Sequence, residues 1–240
     1  MFITMSNKIP LSVIIIYNSH VENKFLEQTK KSVEVFTQVI LFDVGDKPII
    51  NFAKVRNEAI QKSTNKYVLF IDSDEILTKD SLRQIKKIIN DNYYDLVSVV
   101  RSDFFLGKKL NFGEAGAIHL VRMGKKDNLK FVREVHETVE IKPTYKVTGS
   151  NISLLHYSHP SITQFFSKIT HYSYLESRLR SESSTWSLLF ELLFFPPFKF
   201  LYNFFIKQGY RDGMRGFIYA VIMSLHSLFV RINLLEQKKN

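Results

Sequence analysis

No stretch limits the fold of this chain more than Lys66–Leu77, KYVLFIDSDEIL. Tyr67 to Ile71 is a short run of aromatic and branched apolar residues, the pattern of a strand buried on both faces. Charge gathers abruptly at its carboxyl end, where Asp72, Asp74 and Glu75 crowd three carboxylates into four residues. Such a group repels itself unless a cation sits among it. In open α/β sheets, ligands bind at the carboxyl ends of the strands. One reading is therefore a strand that delivers oxygen ligands to a divalent ion. Oxygen donors without thiolates suit Mg²⁺ or Mn²⁺, which share their coordination with substrate phosphates. The other reading is a solvated acidic turn that caps the next helix, and a D-x-D pattern alone does not choose between them.

The surrounding chain sets that strand in a rhythm. Leu11–Tyr17 is an apolar, β-branched strand, and Val21 to Val35 carries a weak helical pattern. Gln38–Asp43 is a second strand ending in an acid. Asn51–Lys62 places Phe52, Val55 and Ala59 at helical spacing. After the third strand, Leu82, Ile85 and Ile89 mark a helix with Thr78 as its N-cap, and Leu96–Val100 is a fourth strand. Strands alternating with helices predict βαβ units and a mostly parallel sheet flanked by helices. Beyond Ser102 the pattern changes to a hairpin over Phe104–Phe112 turning near Gly107. Extended segments follow at Ala117–Met123 and Phe131–Ile141, then a strand at Asn151–Tyr157. From Ser161 the spacing is helical to about Arg180, with a capping box from Ser161 to Gln164. The predicted organisation is one α/β domain over residues 1–160, with a nucleotide-binding half at about 10–102 and an acceptor half at about 103–160. A helical region covers 161–240.

Composition narrows the partners. With no cysteine among 240 residues, disulfides, thiolate metal sites and a cysteine nucleophile are excluded. A net charge of +10 favours anions, whether nucleic acid, anionic lipid or phosphorylated substrates. The apolar start lacks a basic region ahead of it and reads as a strand rather than a signal peptide. Trp186–Ile206 and Gly216–Val230 are strongly apolar and flanked by Lys199, Lys207, Arg211, Arg215, Arg231, Lys238 and Lys239. This combination fits helices lying in a membrane interface, with anionic headgroups meeting the basic residues. Covering the sheet or pairing with a second subunit is the alternative. Glu191, Pro196, Pro197 and Lys199 argue against a span in the first run. The second is shorter than the ~20 residues a span needs.

Four segments taken in order resemble the family 2 glycosyltransferases of GT-A fold: SVIIIYNS, LFDVGD, FAKVRNEAI and KYVLFIDSDEIL. The resemblance covers about residues 10–100. The second half is similar to the lipopolysaccharide core β-glucosyltransferase branch, through REVHETVE, LLHYSHPSITQFFSKITHYSYLE and GYRDGMRGF. The loop after Asp43 departs from the family, with VGDKPII in place of its small-residue run.

The resemblance implies an inverting, metal-dependent transfer of a sugar, a hexose from a UDP donor, to a glycan or lipid-linked acceptor of the cell envelope. It would work at the cytoplasmic face of a membrane. By the same resemblance, Asp43, Arg56 and Asp72 would bind the nucleotide sugar, with Arg56 pairing either the diphosphate or the local carboxylates. Asp74 would ligate Mg²⁺ or Mn²⁺, joined by His156. Glu137 would be the general base, with Asp103 and Glu114 as alternatives, and His136 would position the base or the acceptor. A haloacid-dehalogenase-type phosphatase also carries D-x-D. It requires Thr or Val two residues past the second Asp, where this chain has Ile76. A basic nucleic-acid module would interleave its aromatics with Lys and Arg, whereas here they cluster in apolar runs. A degenerate, non-catalytic nucleotide-sugar binder remains the other alternative.

Overall fold

The computed structural model describes residues 8–45, 51–134, 136–159, 161–180 and 184–238. Residues 46–50 of the loop after Asp43, and residue 135 within REVHETVE, lie outside them. The chain divides into two compact units. One comprises Met1–Arg101 with Ile118–Tyr157, the other Ser102–Ala117 with Ser158–Asn240.

In the first unit the elements run β1 (Ile9–Tyr17), α1 (Leu26–Ser32), β2 (Phe36–Asp43), α2 (Phe52–Gln61), β3 (Tyr67–Asp72), β4 (Glu75–Leu77) and α3 (Ser81–Asp91). They continue through β5 (Leu96–Phe105), whose end from Ser102 and whose hairpin partner β6 (Lys108–Lys109) belong to the second unit, then β7 (Ile118–Lys125), β8 (Phe131–Val132), β9 (Thr138–Val139) and β10 (Val147–His159). The large sheet is ordered β2-β1-β3-β7-β5-β10-β4, with β6 paired to β5. β1 lies parallel to both β2 and β3. β7 runs antiparallel to β3 and to β5, so β5 points the same way as the first three strands. The four strands of the sequence rhythm, β1, β2, β3 and β5, share one direction, while β7 between β3 and β5, β6 beside β5, and one of the antiparallel pair β10 and β4 run against them.

Both faces of β1 and β3 are covered, which is why their sequences are continuous apolar runs. Val13, Ile15, Leu69 and Ile71 pack with Ile85 and Ile88 of α3 on one face. Ile14, Val68 and Phe70 pack with Ala59 and Ile60 of α2 and with Phe131 on the other. At the carboxyl edge, Asp72 stands opposite Ile16 and Asp43 opposite Tyr17, so β1 carries an acid on each side.

One helix starts later than its sequence suggested. α3 begins at Ser81, with Asp80 in the N-cap position. Glu75–Leu77 is taken up first as strand β4, paired antiparallel with Leu154–His156 of β10. Thr78 therefore does not cap the helix, and its Oγ1 shares a 2.8 Å hydrogen bond with Ser81 Oγ.

In the second unit the hairpin turns at Leu106 and Gly107, both at positive φ, as expected near Gly107. The unit also holds α4 (Ile162–Leu179), α5 (Thr185–Leu201) and α6 (Met214–Gln237). Ser161 Oγ accepts from Gln164 N–H at 3.2 Å, which bears out the cap placed there. Pro196 and Pro197 lie within α5 and do not end it. α6 is 24 residues long, well beyond the apolar run that marked it, because Met214–Arg215 and Arg231–Gln237 are also helical. Thr185–Ile206 and Met214–Gln237 are long and apolar enough to cross a membrane, a test that core helices of soluble proteins also pass.

GYRDGMRGF forms the corner between these two helices. A Cβ on Gly216 would lie 1.9 Å from Gly209 O, so only glycine fits there. Asp212 Oδ2 accepts from the N–H groups of Asn111 and Phe112 at 3.0 and 2.9 Å. Arg211 stacks on the Phe112 ring at 4.3 Å.

Candidate active site

Arg56 is the post on which the site is built. Asn51 Oδ1 accepts from Lys54 N–H at 2.8 Å and so starts α2, placing Arg56 on its buried face. The guanidinium lies over Phe70 at 5.3 Å and Phe131 at 5.5 Å. Its Nη2 donates to Asp72 Oδ1 at 2.9 Å and its Nε to Glu137 Oε1 at 2.8 Å. Of the two partnerships open to Arg56 from the sequence, this geometry is the one with local carboxylates.

A second arginine completes the group. β7 runs against β3 with Met123 opposite Leu69, which carries Arg122 toward Asp72. Arg122 Nη2 donates to Asp72 Oδ2 at 3.1 Å, and its Nη1 stands 3.8 Å from Glu137 Oε1. Two guanidiniums and two carboxylates thus meet in one place with no net formal charge. Burial opposes the charge on Asp72, but Arg122 and Arg56 outweigh it and hold that carboxyl well below the usual range. Nη1 of both arginines is buried without a hydrogen-bond partner among the described residues. Sequence reasoning missed Arg122. The available signal was an arginine set in the apolar strand HLVRM, where such a residue needs an acidic partner.

Glu137 follows a sharp turn between β8 and β9. Arg133 and His136 there both take left-handed backbone, at φ 72° and 54°. That conformation costs non-glycine residues about 1 kcal/mol or more and concentrates at functional sites. The turn is pinned to α2 by Phe52 N–H donating to Glu134 O at 2.9 Å. His136 is exposed on the turn, beside Glu137.

Asp74 and His156 meet across the sheet. β4 pairs with β10 so that His156 stands opposite Glu75, and Tyr157 N–H donates to Asp74 O at 2.9 Å. His156 Nε2 lies 3.5 Å from Asp74 Oδ1. The carboxylate is a donor that Mn²⁺ or Mg²⁺ takes, and the imidazole nitrogen suits Mn²⁺ better than the harder Mg²⁺, with phosphate oxygens and water able to fill the rest. Among the described residues no group of three His, Asp or Glu side chains is placed to hold a metal. Asp74 and His156 are the two side chains here that could hold such an ion. Glu75 is fully buried, with Oε2 accepting from Asp72 N–H at 2.9 Å. Burial, followed by the neighbouring Asp72, pushes its pKa up. It braces the turn that presents Asp74.

Asp43 organises its own loop, accepting on Oδ1 from Ser19 N–H at 3.1 Å and Gly45 N–H at 3.0 Å. The bonds from Ser19 and Gly45 lower its pKa. Asp103 and Glu114 belong to the second unit, where Asp103 is buried and Glu114 is ion-paired with Lys199.

Residues 46–136 match the family model for glycosyl transferase family 2, a segment that holds Arg56, Asp72, Asp74 and Arg122. The chain is 24% identical, over 97% of its length and 94% of the relative's, to the lipopolysaccharide core biosynthesis glycosyltransferase LpsC of Rhizobium meliloti strain 1021. A mannosyltransferase from Pyrobaculum calidifontis, PcManGT, solved with GDP-Man and Mn²⁺, shares its fold. The TM-score is 0.52 at 11% identity, over 98% of this chain and 89% of that one.

Proposed function

From the premise that the chain is a glycosyltransferase of GT-A fold carrying the family 2 segment, we propose that it transfers a hexose from a UDP-sugar, with inversion, to a lipopolysaccharide-type acceptor. The acceptor class is suggested by the likeness to LpsC, and the place of work would be the cytoplasmic face of a membrane. The observation that carries the reading is the meeting of Arg56, Arg122, Asp72 and Glu137 at the carboxyl edge of the sheet, with Asp74 on the turn that follows β3 facing His156 of β10.

Each residue has a task in this scheme. Asp43 and Asp72 flank the end of β1, where the nucleotide would sit. Asp74 and His156 would hold Mg²⁺ or Mn²⁺, which when bound neutralises charge on the departing diphosphate. Glu137 takes the proton from the acceptor hydroxyl, and Arg56 Nε fixes the orientation of its carboxylate. Asp72, with one guanidinium on each oxygen, holds both arginines in register. His136, next to Glu137 on the strained turn, would position the acceptor.

The test is Glu137→Gln, which keeps the side-chain shape and removes the base. Release of UDP from UDP-glucose is followed with a lipopolysaccharide core fraction as acceptor. Turnover should fall about 100-fold or more while donor binding persists. Unchanged turnover would remove Glu137 from the mechanism.

A further inference from the structure

α5 has its polarity inside out. The stretch Thr185–Ile206 contains only two charged residues, Glu191 and Lys199. Both are spent on partners within the second unit. Glu191 is met by Arg180, at the end of α4, and by Arg231 of α6, each at 3.4 Å. Lys199 is paired with Glu114.

The other side of the helix carries Trp186, Phe190, Leu193, Phe194, Phe198 and Leu201, spaced to fall on one face. Trp186 is 84% exposed, Leu193 68%, Phe198 63% and Phe190 62%. A helix on a water-facing surface shows the reverse arrangement. At 1.5 Å per residue the stripe runs for about 22 Å, a contiguous apolar patch of the kind that marks an interaction site.

We infer that α5 lies flat in one leaflet of an anionic bilayer, with this aromatic face among the acyl chains. The chain's own charge selects this occupant. The net charge is +10, and Lys207 and Arg211 stand exposed just beyond the stripe, where they would meet acidic headgroups. Trp186 sits at the opposite end, a residue suited to the boundary between lipid and water. The ion pairs fix the orientation. Glu191 and Lys199 tie the inner side of the helix at two points, so only one side is offered to lipid, and crossing would carry both charges through hydrocarbon. This deepens the membrane-peripheral reading above and does not depend on the sugar-transfer chemistry.

Trp186 is the only tryptophan in the chain, so its fluorescence reports on this face alone. The full chain is mixed with vesicles of phosphatidylglycerol and phosphatidylethanolamine, or of phosphatidylcholine, with and without brominated acyl chains. Emission should shift to the blue and be quenched by bromine on the anionic vesicles, with a weaker effect on phosphatidylcholine. The triple variant Phe190→Ser, Leu193→Ser, Phe198→Ser should unfold thermally like the parent yet float with vesicles at least about 10-fold less well. Equal flotation by the triple variant would overturn the assignment of this helix while leaving the peripheral reading in place. Absence of flotation by the folded parent would overturn both. Emission already blue in buffer, with a doubled mass in solution, would assign the face to a second copy instead.

Discussion

Asp72→Asn should destabilise the protein by about 2–3 kcal/mol, and removing Arg122 in the same chain should return part of that loss. Asp72 accepts from Arg56 on one oxygen and from Arg122 on the other, at 2.9 and 3.1 Å. With Glu137 the four side chains sum to zero charge, and Asn leaves one positive charge uncompensated. Removing one partner of a buried ion pair costs about 3–5 kcal/mol. The Asp72 side chain is 28% exposed, so water screens part of this and sets the lower figure. In Asp72→Asn with Arg122→Met the charge balances again, so the double variant should be about 1–2 kcal/mol more stable than the sum of the singles predicts. Urea denaturation of the four proteins measures the cycle. The gap between parent and Asp72→Asn should also depend on pH. The folded-state pKa of Asp72 lies below its ordinary 3.8, so the stabilisation is present above that value. It is lost as pH falls toward the folded-state pKa. A single-variant loss under about 0.5 kcal/mol, or additivity within about 0.3 kcal/mol, would refute the balanced-charge account.

Two further substitutions test the scaffold. Gly216→Ala should lower the melting temperature sharply or prevent folding of the helical unit, because its Cβ would fall 1.9 Å from Gly209 O; a parent-like melt would contradict that packing. Asn51→Ala removes the acceptor for Lys54 N–H at the start of α2 and should cost about 1 kcal/mol in urea denaturation. No measurable change would mean that the cap contributes nothing.

The strands of the first half were legible because β1 and β3 are buried on both faces, which leaves a continuous apolar run. The carboxyl-edge placement of Asp43 and Asp72 followed from the same pattern. Glu75 was not legible. Beside two aspartates it reads as part of a solvated turn, yet it begins a short strand whose partner, His156, is remote in sequence. Arg122 was hidden for a related reason. Its value depends on β7 being inserted against β3, and nothing local announces that pairing. The apolar runs of α5 and α6 were plain, but the residues that seemed to interrupt them are turned inward. Glu191 and Lys199 find partners in the second unit, and the proline pair sits inside an unbroken helix.

The account turns on whether Asp74 and its neighbours bind a nucleotide through a divalent ion. Calorimetric titration of the full chain with UDP, GDP and CMP, each with and without Mn²⁺, addresses this directly, with Asp74→Asn run beside it. Binding of UDP that requires Mn²⁺ in the parent and is lost in Asp74→Asn is the result the account predicts. Failure of all three nucleotides to bind a folded protein, or UDP binding indifferent to both Mn²⁺ and Asp74, would contradict it.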